Sequence, residues 1–265
     1  MSRKENINVG KNKKIFLTND DGIHARGLLA LKEALGGVYD VVIVAPDKER
    51  SAVGHAITLH EPVRAAKVNL NGTLSHALSG TPVDCIKFGL LELFSDRPDM
   101  VISGINPGAN TGVNINYSGT VAAAREATLY GVPSIAVSIA SPEPDYYHEA
   151  ASFTARLTGI ILKRKLPPGT FLNINLPNEP LTGIRGIRLC RQDTRFPEEY
   201  FEKKIDPRNR PYYWQGAVNS PEFTNPRVDS AALADNHIAI TPIKCDMTDN
   251  DMIEDLKAWD LGIKG

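Results

Sequence analysis

The chain has 265 residues, with 30 Lys and Arg against 31 Asp and Glu, so its formal net charge is −1. This balance argues against a dedicated nucleic-acid-binding protein, which usually carries a basic excess or a basic patch. The three cysteines are widely spaced and odd in number, which disfavours a disulfide framework or a structural zinc site. The longest apolar runs, such as Val41 to Ala45, fall far short of the roughly 18 residues that span a membrane, so we expect no membrane association.

The first 140 residues alternate between short apolar runs and helical patterns, which is typical of a parallel sheet with crossover helices. Residues 1–14 are basic and polar, and no apolar signal segment follows them. We therefore interpret them as a mobile N-terminal extension of a single domain over 15–265. The predicted strands cover 14–18, 40–45, 99–103, 134–138, 170–175 and 236–241, with an antiparallel hairpin over 63–68 and 73–78. The predicted helices cover 27–35, 120–130, 149–163 and 249–260, and a further helix is opened by Thr81-Pro82.

The composition changes near residue 190, where prolines mix with Tyr, Phe and Trp side chains. A disordered linker would lack these aromatic residues. We therefore predict an ordered arm or long β-hairpin over approximately 190–235, whose exposed aromatic side chains would suit an oligomer interface. The alternative is a long loop that folds back on its own domain.

Three loops follow predicted strands, at the sheet edge where ligands bind in open α/β folds. The first contains Asp20 and Asp21 directly after a buried strand. Two adjacent carboxylates are unfavourable unless a cation compensates their charge, and hard oxygen ligands suit Mg²⁺ or Mn²⁺. The alternative is a capping or turn pair, because Asp-Gly is a common turn signal.

The second loop runs from Ala45 to His55. The Ser51 hydroxyl, flanked by small residues, would ligate a metal or contact a phosphate, unless Ser51 is an ordinary turn serine. We interpret Asp47 and Glu49 as a solvated surface. His55 is either a proton donor or, more simply, a packing or surface histidine.

The third loop runs from Ser103 to Gly112 and continues to Tyr117-Ser118-Gly119-Thr120. Its last residues open a helix of small residues, where free N–H groups and the helix dipole favour an anion. The alternative is simple helix capping by a hydroxyl side chain. The spacing matches neither a Walker A motif nor G-x-G-x-x-G, which disfavours an NAD-binding module.

Together the loops would bring an acidic pair, amide and hydroxyl oxygens and a helix N-terminus to one sheet edge, which fits metal-assisted hydrolysis of a phosphate ester. Two alternatives remain. A phosphatase of the haloacid dehalogenase type needs two aspartates separated by one residue, whereas those here are adjacent. A nucleotide-binding regulatory module would bind nucleotide without turnover.

Several of these stretches resemble signatures of the survival protein SurE family of 5'-nucleotidases. Residues 15–23 (IFLTNDDGI), 44–52 (VAPDKERSA) and the stretch from Ser103 (SGINPGAN) through YSGTV at 117–121 are similar to its three main motifs. Weaker similarities occur at 79–85, 206–214 and 240–242. The resemblance covers residues 15 to about 250 in the family's order.

The resemblance implies a Rossmann-like, three-layer α/β core with a mostly parallel sheet and an extended C-terminal β-hairpin arm used in oligomerisation. It also implies one divalent ion per subunit, Mn²⁺ or Mg²⁺ first and Co²⁺, Ni²⁺ or Zn²⁺ as alternatives. Its ligands would be Asp20, Asp21, Ser51 and Asn106. The implied activity is hydrolysis of nucleoside 5'- and 3'-monophosphates, with short-chain polyphosphate as a further substrate, in a cytoplasmic homodimer or homotetramer.

By this interpretation Asp20 and Asp21 are also the catalytic residues, one of them orienting the attacking water. The phosphate candidates are Asn110, Ser118, Gly119 and Thr120. The chain departs from the family in its extra N-terminal residues and in the 111–116 stretch, which lacks the acidic residues of many relatives. The second departure bears on which substrate the protein prefers, and it leaves the expected metal ligands unchanged.

Overall fold

The computed structural model describes residues 13–218 and 225–259, and within them the chain forms eleven strands and six α-helices. The strands are β1 Lys14–Thr18, β2 Asp40–Pro46, β3 Ala65–Leu70, β4 Thr73–Leu78, β5 Met100–Pro107, β6 Ser134–Ile139, β7 Thr170–Leu176, β8 Ile187–Leu189, β9 Glu198–Ile205, β10 Pro211–Val218 and β11 Ile238–Lys244. The helices are α1 Arg26–Gly36, α2 Pro82–Phe88, α3 Gly119–Leu129, α4 Tyr147–Arg164, α5 Asp229–Ala234 and α6 Asn250–Leu256.

Nine strands form one sheet in the order β3-β4-β2-β1-β5-β6-β7-β11-β8. The six strands from β4 to β7 pair in parallel, whereas β3 and β11 run antiparallel to β4 and β7. The chain goes from β1 to β2 on one side and later returns to β5 on the other. This reversal beside β1 is the switch point at which open α/β sheets bind ligands.

Alternating side chains of the central strands build two cores, one on each sheet face. In β1, Ile15 and Leu17 pack in a cluster that includes buried residues of α1 and α4. Phe16, which points the other way, packs in a second cluster with residues of α2 and α3. Because successive strand residues face opposite sides, the continuous apolar run of β1 covers both faces. The expected mostly parallel, three-layer α/β fold is confirmed.

The sequence signals for helix starts agree with the structure at α2. The Thr81 side chain accepts a hydrogen bond from the Asp84 N–H, and the Asp84 side chain accepts one from the Thr81 N–H. These two bonds form a capping box, with Pro82 at the first helical position after the cap. This cap fixes the start of α2 beside the first turn of α3.

The expected arm is confirmed in part. β9 and β10 form a separate two-stranded antiparallel sheet, and their side chains are exposed almost throughout. Both ends of the predicted 190–235 range instead belong to the body of the protein, because Cys190 packs with Ala232 of α5 and Ala239 of β11. Pro221 and Phe223, which the sequence assigned to the arm, lie outside the described residues.

Several predicted boundaries are corrected. Residues 1–12 of the predicted extension lie outside the described residues, whereas the predicted first strand is confirmed as β1, in which the Lys14 N–H donates to Asp99. The closing helix is shorter than the predicted 249–260 and begins after Asp249, which caps it. In the part of the chain that is described, no helix combines the length and hydropathy of a membrane span.

Candidate active site

The loop after β1 carries the two adjacent carboxylates. The Asn19 side chain closes this turn by donating to the Gly22 carbonyl at 2.9 Å. Asp20 is buried, and one of its carboxylate oxygens accepts a hydrogen bond from the Thr120 hydroxyl. Asp21 is half-buried, and its Oδ2 atom is buried without a hydrogen-bond partner. The turn thus holds one carboxylate firmly and leaves an acceptor of the other unsatisfied.

The pair is electrostatically unfavourable as it stands. Burial raises the pKa of Asp20 above its ordinary value. Burial, followed by the charges of Asp20 and Glu49, raises the pKa of Asp21 to about 7. No Lys, Arg or His is among the described residues that line the cavity in front of the pair. The site therefore lacks the positive charge that would stabilise both carboxylates in their ionised form.

The loop after β2 brings Ser51 to the same place. The Arg50 N–H donates to the Asp20 carbonyl at 2.8 Å, which ties this loop to the first one. The Ser51 hydroxyl donates to the Glu49 carboxylate at 2.5 Å. Glu49 is exposed, in agreement with its interpretation as solvated surface, but it also lines the cavity with Ser51, which the sequence did not predict. Its position two residues before Ser51 was the available signal.

Asn106 lies on β5, which continues to Pro107 with a shift in pairing register after Ser103. The predicted strand end at Ser103 was therefore too early. The Asn106 Nδ2 atom donates to the carbonyls of Pro107 and Gly108 at 3.0 and 2.8 Å. These bonds fix the orientation of the amide, so that Oδ1 is the atom available for a ligand.

Asn110 is held by three asparagine and serine side chains from the neighbouring strands. Its N–H donates to Asn175 Oδ1 at 2.8 Å, and its carbonyl accepts from Asn173 Nδ2 at 2.7 Å and Asn175 Nδ2 at 3.1 Å. Its own Nδ2 donates to the Ser138 hydroxyl at 2.9 Å. Asn173 and Asn175 are fully buried. The loop after β5 is thus fixed at Asn110 by polar groups inside the sheet.

The N-terminus of α3 closes the site. Ser118 caps the helix by accepting from the Val121 N–H at 3.1 Å, so the capping alternative is correct for Ser118. A Cβ atom on Gly119 would lie 2.9 Å from the Asp20 Cβ, so any side chain there would push into the carboxylate. Thr120 is fully buried and holds Asp20.

These elements enclose an open cavity of about 450 Å³. Six of the eight predicted site residues line it, namely Asp20, Asp21, Ser51, Asn106, Asn110 and Ser118. Gly119 and Thr120 lie just behind the wall, against Asp20. The prediction did not include Glu49, Asn114, Tyr117 and Pro142 as cavity residues. The rest of the lining is Ala52, Pro107, Gly108 and Ala109.

The donor set fits a hard divalent cation. In the described residues, no three His, Cys, Asp or Glu side chains cluster so as to hold a metal ion by themselves. Two carboxylates supplemented by amide and hydroxyl oxygens are, however, the ligands that Mg²⁺ or Mn²⁺ takes, with water completing the shell. The unpartnered Asp21 oxygen and the missing positive charge are consistent with such an ion.

His55 is placed away from this chemistry. Its Nε2 atom lies 2.8 Å from the Glu126 carboxylate of α3, and His55 is not among the cavity-lining residues. The hydrogen bond from His55 lowers the pKa of Glu126. The packing alternative therefore describes His55, which fastens the second loop to α3.

The residues that flank the hairpin, Gln192 and Asp193 before β9 and Asp229 after β10, form its root and also support the cavity wall. The Gly112 N–H donates to the buried Asp229 carboxylate at 3.0 Å, and the Gly112 carbonyl accepts from Gln192 Nε2 at 2.9 Å. Asp229 also accepts from the Asp193 N–H at 3.1 Å. Gly112 begins the short helical turn that leads through Asn114 and Tyr117 to α3.

Comparison with known proteins places this architecture in a family. A family model described as "Survival protein SurE" matches residues 15–199. A relative from Desulfatibacillum aliphaticivorans, named 5'-nucleotidase SurE, is 52% identical over 92% of this chain and 97% of its own. One of the same name from Syntrophobacter fumaroxidans is 48% identical over 94% and 100%. The crystal structure of the SurE protein from Aquifex aeolicus superposes with a TM-score of 0.83 at 36% identity, covering 92% of this chain and 98% of the other. The site at the switch point is formed by the same motifs that resemble the family's signatures. Together with these matches, this shows that the chain belongs to the SurE family.

Proposed function

We propose that the chain is a phosphomonoesterase that hydrolyses nucleoside 5'-monophosphates, and also 3'-monophosphates, to nucleoside and phosphate with the help of one divalent metal ion. The observation that carries the proposal is the Asp20–Asp21 pair, which lies beside the N-terminus of α3 in a cavity whose described lining has no basic side chain. The relatives' printed name, 5'-nucleotidase, supports the same substrate class.

The metal would be held by Asp20, Asp21, Ser51 and Asn106, with Mn²⁺ or Mg²⁺ as the first choices and Co²⁺, Ni²⁺ or Zn²⁺ as alternatives. When bound, such an ion polarises phosphoryl oxygens and lowers the pKa of a water molecule. The chain itself fixes the ligand positions. Thr120 holds Asp20, and the Asn106 amide is locked with Oδ1 available.

The phosphate group would lie at the start of α3. The N–H group of Gly119 belongs to the first helical turn and has no partner within the helix, which makes this a suitable place for an anion, whereas the Thr120 N–H is already directed at the Asp20 carboxylate. Asn110 uses one Nδ2 hydrogen for Ser138 and keeps the other for the substrate. Asp21 would orient the water that attacks phosphorus. As the new P–O bond forms and the ester P–O bond breaks, the attacking water loses a proton and the nucleoside oxygen takes one up from solvent, so that the nucleoside leaves as an alcohol.

The hairpin would serve self-association into a homodimer or homotetramer. Phe201, Tyr213 and Trp214 expose more than half of their surface, and aromatic side chains of this kind are enriched in interfaces. Light scattering of wild type and of a Phe201→Ser/Trp214→Ser variant tests this. We expect the variant to dissociate, whereas an unchanged mass would contradict a role of this face.

The free thiols of Cys85, Cys190 and Cys245 are consistent with a reducing compartment, and we place the enzyme in the cytoplasm. Fractionation of cells that express the full chain would check this. Recovery of the protein outside the cytoplasmic fraction would contradict it.

The activity is tested by phosphate release from a panel of nucleoside 5'- and 3'-monophosphates and short-chain polyphosphate, with added Mn²⁺ or Mg²⁺ and with chelator. We expect metal-dependent release that Asp21→Asn reduces by about 100-fold or more without loss of folding. Nucleotide binding without release under any metal would overturn the proposal in favour of a regulatory module. Full activity of the Asp21→Asn variant at saturating metal would refute the assigned site.

A further inference from the structure

Tyr117 is a large aromatic residue in the lining of the cavity. It lines the same cavity as Asp20 and Asp21, yet 53% of its surface is exposed. Among the described residues, its ring stacks on no other ring and its hydroxyl has no hydrogen-bond partner. Because the ring is half exposed inside the cavity that holds the acidic pair, its free face is open to a ligand of that cavity.

The backbone around this ring is nevertheless rigidly held. The Tyr117 N–H donates to the Asn114 carbonyl at 3.1 Å, and the Tyr117 carbonyl accepts from the Gly54 N–H at 2.9 Å. Ile115, two residues earlier, is buried against Val121 and other core residues. The ring therefore projects from a fixed anchor, which keeps the entropic cost of binding a ligand to it low.

The lining of the cavity contains two chemically different groups of residues. One group comprises the acidic pair and the cap residue Ser118 at the start of α3, where the phosphate is assigned. The lining that includes Tyr117 also contains Ala52, Pro107 and Pro142, whose side chains have no hydrogen-bonding groups. Tyr117 directly precedes Ser118, the cap of α3, so the ring lies next to the proposed phosphate position. A base separated from its phosphate only by a ribose would reach it.

We propose that Tyr117 is the stacking platform of a nucleoside subsite, which binds the base of the substrate through its flat face. This inference rests on the proposed function and deepens it. Base–aromatic stacking tolerates every base, because each base has a π-face. Because stacking itself does not read the hydrogen-bonding edge of a base, the subsite accepts purine and pyrimidine nucleotides alike while favouring them over phosphate esters without a base.

The test compares Tyr117→Ala and the conservative Tyr117→Phe with wild type on AMP, CMP and ribose 5-phosphate, which lacks a base. We expect Tyr117→Ala to raise KM for AMP and CMP by about 5- to 100-fold with little change in kcat. KM for ribose 5-phosphate should change by less than about twofold, and Tyr117→Phe should behave like wild type. An equal loss on ribose 5-phosphate would indicate a purely structural role, and an unchanged KM for AMP would also overturn the proposal.

A calorimetric measurement separates this proposal from the failure of the proposed function. If the wild type binds AMP but releases no phosphate, the hydrolase assignment fails and the subsite is still tested. In that case Tyr117→Ala must weaken AMP binding by the same 5- to 100-fold factor, and equal affinities would refute the stacking platform. Thermal melting of the variant, expected to match wild type, confirms that the protein is folded.

Discussion

Replacing Asn175 by leucine would test how the buried asparagine pair holds the cavity wall. The substitution removes the acceptor of the Asn110 N–H, which is buried and has no other partner among the described residues. A buried donor left unsatisfied costs about 1–3 kcal/mol. For a chain of this size each kcal/mol lowers Tm by roughly 2–4 °C, so we expect a fall of about 6 °C. Displacement of Asn110 should also lower kcat/KM by about tenfold or more.

Asn173→Leu is the matched control, because it changes the same residue type on the same strand. The Asn110 carbonyl would keep its bond from Asn175, and Asn173 Oδ1 has no hydrogen-bond partner to lose. The expected cost is therefore below about 1 kcal/mol. Urea unfolding and steady-state kinetics of both variants decide the matter. If Asn173→Leu were as destabilised as Asn175→Leu, the reasoning from individual hydrogen bonds would be refuted.

Three further predictions concern charge and metal. Because the pKa of Asp21 is raised from 3.8 to about 7, the metal-free protein should lose stability as pH rises from about 4 to 7, and Asp21→Asn should flatten that loss in thermal melts. Saturating Mn²⁺, at about 100 times its Kd, should raise Tm by about 5–10 °C. The same increase in Asn106→Leu would contradict its role as a ligand. The pKa of Asp193 is lowered to about 2 by hydrogen bonds from Arg195, so its stabilisation should be present above pH 4 and disappear towards pH 2. In urea titrations, the stability difference between wild type and Asp193→Asn should shrink over that interval, and a constant difference would argue against this ion pair.

The fold was largely predictable because its central strands and helices follow simple periodicities. The prediction was less accurate where local signals oppose tertiary context. β5 was expected to end at Ser103, since Gly104 and Asn106-Pro107 are typical of loops. The strand continues because Gly104 adopts a φ of +137°, at a position where a Cβ would lie 2.4 Å from the Val137 carbonyl oxygen. β8 and α5 were missed because they are only three and six residues long.

Site residues were predictable where neighbouring residues in the sequence already indicate their chemistry. They were less predictable where their role depends on contacts between residues far apart in the sequence. Asp20 and Asp21 stand out as adjacent carboxylates after a buried strand. The roles of Asn173 and Asn175 could not be predicted, because they depend on hydrogen bonds to a residue more than 60 positions away. Thr120 shows a third case, since its position at a helix start suggested an anion contact, while its hydroxyl in fact holds Asp20.

The root of the hairpin has a consequence for how this protein tolerates changes in length. The two residues whose side chains form hydrogen bonds with Gly112 flank the hairpin: Gln192 lies before β9 and Asp229 lies after β10. Replacing β9 and β10 by a short turn would keep both hydrogen bonds to Gly112. The wall of the cavity would therefore keep its shape although the hairpin is lost. An insertion of one residue at 192–193 would instead displace the side chains that form these hydrogen bonds. The hairpin is thus dispensable for the shape of the pocket, whereas its root supports the pocket wall.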